Sequence, residues 1–217
     1  MRRARSDTQK ENRKLQILDS ALELWHTTPY TDITMQMVAK TSDLAKGTLY
    51  LYFQSKEELF LEILKVKLLD WFAELHGLMQ PPLTPERMVA SLSETLRDKD
   101  DMLRLLGMLS GVLEAGITVE AGLNFKMWMN GELAKLGGLL EAALPVRNGV
   151  QVLMHLYGTI MGLYQTANLP VPLKEALQLN PELACLLLDF HQELKLAALA
   201  LLKGHLAATE TPMLLQD

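Results

Sequence analysis

Residues 38–53 have the sequence VAKTSDLAKGTLYLYF, and residues 55–59 continue with SKEEL. The turn-forming pair Ser42-Asp43 separates one short helix-forming run from another at about residues 45–52. This spacing predicts two short helices joined by a tight turn. Such a pair is the core of a helix-turn-helix unit, whose last helix can lie in the major groove of DNA.

Helices are predicted on both sides of this stretch. Apolar residues recur every three or four positions from Lys10 onward, and this first helix is expected to end before Pro29. Thr34 is expected to cap the second helix, since its hydroxyl can accept a hydrogen bond from a free backbone N–H. Ser55 and Glu58 form a predicted capping box that opens a long fourth helix. The predicted buried face of the first helix consists of Leu15, Leu18, Leu22 and Trp25.

The remainder of the chain is also predicted to be helical. Caps, early prolines and acids at positive helix ends recur at Thr84-Pro85-Glu86, Thr118 and Asn180-Pro181-Glu182. No run has the alternation of a strand, so we expect an all-α fold of about nine helices. Residues 1–56 are predicted to form a three-helix domain and residues 57–217 a larger helical domain. Its predicted helices lie near 55–79, 84–97, 102–114, 118–144, 149–166 and 181–204, with a minor turn of helix around 173–178.

Charge is distributed unevenly along the chain. Residues 1–56 contain nine lysines and arginines against six acids, whereas residues 57–217 contain twelve against twenty. The front of the chain is therefore basic, although the whole protein carries a formal net charge of −5. This asymmetry favours contact between a polyanion and the N-terminal part alone, and a solvated basic tail is the alternative.

Composition argues against several other classes of protein. A hydrophobic content of 49% is typical of a folded chain rather than a disordered one. The single cysteine, Cys185, excludes an internal disulfide framework and multi-cysteine metal sites. Because no apolar run follows the charged N-terminus either, we expect a cytoplasmic protein. The uncharged stretch between Arg147 and Lys174 is interrupted by Pro170, which predicts a buried or subunit-interface helix and no membrane span.

The opening stretch resembles a known family of DNA-binding proteins. Its KGTLYLYF sequence followed by SKEEL is similar to the signature of the TetR family of bacterial transcriptional regulators. Close similarity extends over about residues 10–64, and the remainder matches the family only in the number and length of its helices. The resemblance implies a homodimer that binds a palindromic operator in double-stranded DNA. It is expected to be a repressor that a small apolar or aromatic effector releases.

The residues of this motif suit contact with DNA. Lys46 and Gly47 lie in the first turn of the predicted third helix, where backbone N–H groups favour a phosphate and a missing side chain permits close approach. Thr48 offers a hydroxyl and a methyl group to base edges, and tyrosine hydroxyls can donate to phosphate oxygens. Leu49 and Phe53 are expected to be core residues. Because the family's motif positions contact DNA, the resemblance implies DNA contacts for Thr34, Lys46, Gly47, Thr48, Tyr50, Tyr52 and Lys56.

The chain departs from the family pattern at two positions. Asp43 stands where glycine is usual, and a left-handed backbone is less favourable for aspartate than for glycine. Ala45 stands where serine is frequent, so one helix cap worth about 1 kcal/mol and one phosphate contact are lost. A candidate basic arm for a minor groove, with a solvated tail as the alternative, consists of Arg2, Arg3 and Arg5.

The predicted second domain contains bulky and adaptable apolar residues but no ligand-binding motif. The resemblance implies a small-molecule pocket there, and methionine and aromatic side chains suit a lipophilic or aromatic ligand. Most of these residues are expected to be core, with a few lining a cavity and a histidine as its polar group. The candidate ligand-binding residues are Trp71, His76, Phe125, Trp128, Met129, His155, Tyr157 and Tyr164.

The last two long helices are the predicted dimer interface. Apolar residues repeat along one face of the helix predicted at 181–204, and two glycines leave a notch in the helix before it. Two such helices from each subunit would form a four-helix interface. The candidate interface residues are Gly158, Gly162, Leu187, Phe190, Leu194 and Leu201.

Two other functional classes were weighed against this interpretation. An all-helical enzyme would need a catalytic or phosphate-binding motif, and the sequence has no His-Glu-x-x-His, phosphate-binding glycine loop or nucleophile elbow. The five histidines share no metal-ligand spacing, so no catalytic residue, metal site or cofactor is predicted. A DNA-binding architectural protein without a sensor would bind with little sequence preference and would not need the large apolar body.

Overall fold

The computed structural model describes residues 2–210, with side chains from residue 9 to residue 209. This part of the chain contains ten α-helices, together with short 3₁₀ and π turns and no strand. The predicted all-α fold is therefore confirmed.

The helices form two compact units. The first unit contains the chain as far as Leu68 together with Met108–Phe125. The second contains Leu69–Gly107 and the residues from Lys126 onward. The domain boundary at residue 56 stays a prediction from the sequence.

The first unit begins with four helices: α1 (Arg2–Thr27), α2 (Met35–Thr41), α3 (Lys46–Leu49) and the first part of α4 (Lys56–Leu78). Phe60 of α4 is completely buried. The rings of Trp25 and Tyr30 both meet it edge-on, with centroids 5.9 and 5.0 Å away. Aromatic pairs in this geometry add to the free energy of burial, so Phe60 holds α4 against the end of α1 and the turn that follows it.

The first helix differs from its prediction in two respects. It begins at Arg2 rather than near Lys10, and the described side chains do not include those of the candidate arm Arg2, Arg3 and Arg5. Its buried face is also rotated, because Leu15 is 43% exposed and Ile17 is fully buried. The predicted face included Leu18 and Trp25 but omitted the isoleucine; the buried face consists of Ile17, Leu18, Ala21 and Trp25.

Side-chain caps fix the starts of the helices around the motif. Thr34 Oγ1 accepts a hydrogen bond of 3.2 Å from the N–H of Met37, as predicted. Ser55 Oγ accepts one of 3.1 Å from the N–H of Glu58. Glu58 reaches back, but its Oε2 accepts from the N–H of Gln54, one residue before the capping serine. The starts of α2 and α4 therefore lie where the sequence predicted them.

The second unit has a core built on its last helix. Its helices are α5 (Pro85–Thr95), α6 (Asp100–Met108), most of α7 (Val119–Ala143), α8 (Gly149–Ala167), α9 (Val171–Gln178) and α10 (Phe190–Glu210). The α10 helix packs against α5 and α8. Its residues Leu194, Ala198 and Leu202 are fully buried at a spacing of four, which is one face of a helix.

Helices α7 and α8 approach each other backbone to backbone. Gly137 of α7 and Gly149 of α8 meet so closely that a Cβ on Gly149 would overlap the carbonyl oxygen of Gly137. A Cβ on Gly137 would in turn lie 2.8 Å from the backbone nitrogen of Val150. The N–H of Gly149 also donates to Glu141 Oε1 over 2.7 Å. No side chain fits at either glycine without displacing backbone.

Two predicted helices have different bounds in the structure. The predicted helix at 102–114 is α-helical only as far as Met108 and continues as a π turn over Leu109–Leu113, where Ser110 and Gly111 are weak helix formers. The predicted helix at 181–204 is also divided. Pro181–Leu186 is a 3₁₀ turn, and α10 begins at Phe190 because Asp189 Oδ1 accepts the N–H of Gln192 over 2.8 Å.

The uncharged stretch after Arg147 forms α8, whose buried residues include Val152, Leu156 and Ile160. Its predicted place in the interior is thus confirmed for one face. None of the helices within residues 2–210 has the length and apolar character needed to cross a membrane.

Candidate nucleic-acid interface

The turn between α2 and α3 depends on a left-handed residue. Asp43 has φ = 53°, the conformation inferred from the glycine that is usual at this position. The chain then returns to α2, where the N–H of Leu44 donates to the carbonyl of Ala39 over 2.8 Å. Aspartate is among the residues that adopt this conformation more readily than most. The turn is therefore built without glycine, at a conformational cost that packing must offset.

The third helix is shorter than predicted. It spans Lys46–Leu49, and backbone turns extend the coil to Phe53, whose N–H donates to the carbonyl of Leu49 over 3.1 Å. Ala45 provides no side-chain cap, as predicted. Leu49 and Phe53 are buried and hold the helix to the unit, which confirms their predicted core role. A helix of four residues has only a small dipole, so side-chain charge matters more here than the helix terminus.

The remaining motif residues form an accessible surface on and after α3. Lys46, Gly47 and Tyr50 are exposed, and Thr48 and Tyr52 are half-buried. Lys46 Nζ lies 5.9 Å from the centroid of the Tyr50 ring. The ammonium group, the two phenol hydroxyls and the threonine hydroxyl are all groups that bind phosphate or base edges.

Gly47 has no intramolecular reason to be glycine. A Cβ at this position would meet no atom within 4 Å, and its φ is not in the positive region. Alanine would make a more stable helix than glycine at such a position. Nothing within the chain therefore prevents a side chain at this position.

Lys56 is already held by its own chain. Its Nζ donates to the carbonyl of Tyr30 over 2.7 Å and lies 4.1 Å from the centroid of the Tyr30 ring. The hydroxyl of Tyr30 donates to Glu57 Oε1 over 3.0 Å, and burial, together with the nearby Glu57 carboxylate, raises the pKa of Tyr30. An ammonium group has three donors, so Lys56 keeps donors for a phosphate while its direction is fixed. Thr34 is exposed, and its hydroxyl proton can likewise donate although its oxygen caps α2.

The sequence analysis missed one residue beside this surface. Leu51 is 80% exposed and stands between Tyr50 and Tyr52. Leu51 lies two residues from each of Leu49 and Phe53. This spacing could have predicted its exposure, because residues two apart on a helical coil point to different sides. An exposed leucine can contact the methyl group of a thymine.

A distant segment supports the start of α4. Ser55 Oγ donates to the carbonyl of Gly116 over 3.1 Å, and Thr118 Oγ1 donates to Glu58 Oε1 over 3.1 Å. A Cβ on Gly116 would lie 2.8 Å from Cδ of Glu57. About sixty residues separate the partners, so no local pattern could have indicated these contacts.

Aromatic residues of the second unit form two separate clusters. In the first, the rings of Trp71, Phe72 and Trp128 follow one another with centroid separations of 5.8 and 6.3 Å. Trp71 is buried, and its Nε1 donates to Thr95 Oγ1 over 3.0 Å. The candidate ligand residues Trp71 and Trp128 therefore share one neighbourhood of apolar rings.

The second cluster joins Tyr164 to Phe190, whose rings meet edge-on with centroids 5.6 Å apart. Burial raises the pKa of Tyr164 to about 12, and the carboxylate of Asp100 adds to the effect. Phe190 was a candidate interface residue, and its ring packs against Tyr164 of its own chain.

The other candidate ligand residues are dispersed. Phe125 is buried in the first unit, and Met129 in α7 is half-buried. His76, His155 and Tyr157 are exposed. The structure therefore does not bring the eight candidates into one site, and their role in ligand binding stays a prediction.

The candidate interface residues also differ in exposure. Gly158 and Gly162 are exposed on α8, and Leu187, Phe190 and Leu201 are half-buried. Leu194 has no exposed surface, so it packs the core of its own chain instead of offering apolar surface to a second copy. Leu187 precedes α10 and does not share its helical face.

No group of three or more histidine, cysteine, aspartate or glutamate side chains within the described residues could hold a metal ion.

Two protein-family models match consecutive parts of the chain. The model for bacterial regulatory proteins of the tetR family matches residues 17–63. A model described as a tetracyclin repressor-like C-terminal domain matches residues 66–209. Together they cover the motif and the helical body.

Individual relatives are similar to part of the chain. An uncharacterized HTH-type transcriptional regulator of Bacillus subtilis, YhgD, is 38% identical over 72 residues, which are 33% of this chain and 38% of that protein. The fatty acid metabolism regulator protein of the same organism is 35% identical over 60 residues, 28% and 31% of the two chains. The HTH-type transcriptional regulator QacR of Staphylococcus aureus is 42% identical over 60 residues, 28% and 32%. These alignments span about a third of each relative's length.

Solved structures are similar over most of the chain. A TetR transcriptional regulator from Rhodococcus sp. RHA1 has a TM-score of 0.57 and 17% identity over 89% of this chain and 97% of that one. The fatty acid degradation regulator FadR from Bacillus halodurans has a TM-score of 0.53 and 19% identity over 84% and 94%. At such identities the likeness establishes a common fold.

Proposed function

This chain belongs to the tetR family of bacterial regulatory proteins, and we propose that it is a repressor that binds a palindromic operator as a homodimer. A small apolar or aromatic effector bound by the helical body would release it. The operator contacts are assigned to Thr34, Lys46, Gly47, Thr48, Tyr50, Tyr52 and Lys56, with Leu51 added as an apolar contact to bases.

The observation that carries the DNA contacts is the exposed surface formed by Lys46, Gly47 and Tyr50 on α3. Gly47 leaves room for close approach of a phosphate or base edge to the backbone of α3. The exposed Lys46 beside it supplies the positive charge, and the fixed direction of Lys56 supports a second phosphate contact.

The exposed faces of α8 and α10 support the proposed homodimer. Met154 and Tyr157 on α8 are 47% and 37% exposed, and Leu196 on α10 is 68% exposed. Gly158 and Gly162 leave room near the α8 backbone, since a Cβ at either would meet nothing within 4 Å. A two-fold dimer would place its two copies of α3 about 34–36 Å apart or slightly more, one turn of DNA.

We propose an apolar effector because the rings of Trp71 and Trp128 lie beside Phe72. Stacked and tilted aromatic rings form walls that suit a lipophilic or aromatic molecule. The two similar proteins whose names refer to fatty acids favour a ligand with an aliphatic chain.

The proposed release is a population shift. The effector would favour a dimer in which the two α3 helices no longer match successive grooves, by its difference in affinity for the two states. Helix α4 continues from Lys56 in the first unit to Leu78 in the second, so a displacement of its second half would be felt at its first turn. The hydrogen bonds from Ser55 to the carbonyl of Gly116 and from Thr118 to Glu58 would hold that turn in the DNA-binding state.

Binding to DNA tests the first part of the proposal. Fluorescence anisotropy would compare the full chain on fragments from upstream of its own gene with shuffled fragments of equal length. The expected result is at least about a thousandfold preference for one fragment at physiological salt. Equal binding to all fragments would favour the architectural protein and contradict the proposal.

Native mass spectrometry tests the dimer and the effector. The expected spectrum contains a dimer and, after mild purification, a retained small molecule. Trp128→Ala should then weaken the response of the DNA complex to that molecule while leaving operator affinity within about twofold. A monomer at micromolar concentration would contradict the dimer, and an equal loss of both properties would assign Trp128 to the core.

A further inference from the structure

Tyr30 meets two oppositely charged side chains at the start of α4. Lys56 Nζ donates to the carbonyl of Tyr30 and lies over its ring, 4.1 Å from the centroid. The hydroxyl of the same residue donates to Glu57 Oε1 over 3.0 Å. Tyr30 itself belongs to a 3₁₀ turn at Tyr30–Asp32, outside the helices of the motif. One residue of a distant turn therefore holds a cation and an anion that are neighbours in sequence.

The partners that hold Lys56 are uncharged. A carbonyl oxygen and the face of a phenol ring both attract an ammonium group and leave its charge in place. Among the side chains that the structure describes, Lys56 and Glu57 form no ion pair with each other. The salt dependence of DNA binding follows the number of phosphates that a protein neutralises. Lys56 is thus held in one direction while its whole charge is available to a phosphate.

The carboxylate of Glu57 is kept close to Tyr30. A Cβ on Gly116 would lie 2.8 Å from Cδ of Glu57, so this side chain packs against the Gly116 backbone. Glu57 is half-buried, and a carboxylate that is partly shielded from water needs a hydrogen-bond donor or a cation. The phenol hydroxyl supplies the donor. Without that hydroxyl, Coulomb attraction would favour pairing between the carboxylate and the ammonium group over the same ring.

We propose that Tyr30 is a positioning residue for DNA binding, which directs the ammonium group of Lys56 to a phosphate and keeps the Glu57 carboxylate from neutralising it. Tyr30 acts through Lys56 and contacts no phosphate itself. The inference rests on the phosphate contact of Lys56 in the proposed function. Such a contact carries no sequence information, so it can be measured on DNA of any sequence.

Tyr30→Phe tests the role of the hydroxyl. The variant keeps the ring and its edge-on contact with the buried Phe60, so it is expected to fold, as thermal unfolding would verify. Fluorescence anisotropy of the full chain with a labelled duplex of random sequence, between 50 and 200 mM salt, measures the affinity and its salt slope. The affinity should fall about three- to tenfold, and the slope should fall by about half of the 0.9 expected for a lost phosphate contact.

Two double-variant cycles separate positioning from packing. In a Lys56→Ala background, Tyr30→Phe should change the affinity less than about twofold, because the residue through which it acts is gone. In a Glu57→Gln background, the same substitution should also cost less than about twofold, because no carboxylate is left to pair with Lys56. A loss that has the same size in both backgrounds as in the unaltered chain would assign Tyr30 to packing and overturn the proposal.

Thr31→Val is the matched control. Thr31 Oγ1 donates to Asp32 Oδ1 over 3.1 Å in the same 3₁₀ turn. This variant therefore also removes a hydroxyl from a carboxylate, but one that does not hold Lys56. Its affinity and salt slope should equal those of the unaltered chain. A fall as large as that of Tyr30→Phe would contradict a role specific to Tyr30.

The same measurements distinguish failure of this proposal from failure of the proposed function. A slope that falls in Lys56→Ala but not in Tyr30→Phe would overturn the positioning role and leave the phosphate contact intact. An unchanged slope in Lys56→Ala would overturn both the contact and the positioning role. Because the duplex has a random sequence, the lack of a preferred operator would contradict the proposed repressor alone.

Discussion

The side-chain caps of residues 34–59 and the contacts between helices of the second unit differ in the sequence range that they join. In the motif, Thr34 caps α2 by bonding Met37 and Ser55 caps α4 by bonding Glu58, each three residues away. In the second unit, Ser93 meets the ring of His191 at 3.2 Å across 98 residues. Gly137 and Gly149 likewise meet from two different helices.

This difference separates what a helix does locally from what a bundle requires. Caps and turns depend on residue types close in sequence, so they can be recognised without knowledge of the fold. Close approach between helices depends on which faces meet, which the whole arrangement decides. The following substitutions test each side of the comparison.

Gly149→Ala is expected to have the largest effect, because it places an atom inside the contact between α7 and α8. Overpacking of this kind costs about 3 kcal/mol, which corresponds to a decrease in Tm of about 6–12 °C for a chain of this size. Thermal unfolding followed by circular dichroism measures it. Gly138→Ala is the control: its Cβ meets nothing, so stability should not fall. Equal Tm values for the two variants would show that the contact between Gly137 and Gly149 does not limit stability.

Gly47→Ala tests the opposite property, a glycine that we propose makes room for DNA. Operator affinity should fall about tenfold or more, the cost of losing one charge-assisted hydrogen bond. Stability should stay the same or rise by up to about 1 kcal/mol, since alanine favours a helix. Anisotropy and unfolding on the same sample measure both. Gly131→Ala in α7, with the same open space, should leave operator affinity unchanged. Loss of stability in Gly47→Ala would contradict the external role.

Lys46→Ala and Lys56→Ala measure the electrostatic part of the motif. Each should reduce the slope of log affinity against log salt concentration by about 0.9 and weaken binding to all sequences alike. Fluorescence anisotropy between 50 and 200 mM salt would provide the slopes. Over this range the affinity of such a protein for DNA can fall about 10³-fold. Lys195→Ala, exposed on α10, is the control. A slope that does not change would remove the substituted lysine from the phosphate contacts.

Tyr164→Phe should have the smallest effect and only in alkaline solution. The folded chain holds the pKa of Tyr164 at about 12, above the ordinary value of 10.0, so it binds the phenol proton more tightly than the unfolded chain. Stability from this group is complete below pH 10 and is lost as the pH rises toward 12. Urea unfolding from pH 8 to 12 should show a smaller alkaline loss in the variant, with pH 8 as the reference for packing. Equal losses in both chains would contradict a buried phenol.

Much of the fold could be predicted from short-range patterns. The predicted helices at 84–97, 118–144 and 149–166 lie within two residues of α5, α7 and α8. The left-handed Asp43 and the uncapped Ala45 were also predicted. In each case a residue type near one helix end determines the local conformation.

Other features were not predicted, one of them a local cap and one a contact between distant residues. The prediction of one helix at 181–204 depended on a leucine spacing that continues through Leu187. In the structure Asp189 caps a new helix, which begins after it. Leu194 appeared to be available to a second copy, and its own chain buries it. At the candidate DNA interface the tie between Lys56 and Tyr30 was missed, because it joins residues 26 apart.

The contact between Gly137 and Gly149 restricts how the body can move. Two helices joined through side chains can slide, since rotamers change as the surfaces pass each other, but here backbone meets backbone and Val150 blocks the neighbouring position. The start of α8 therefore cannot slide past the end of α7 unless backbone moves.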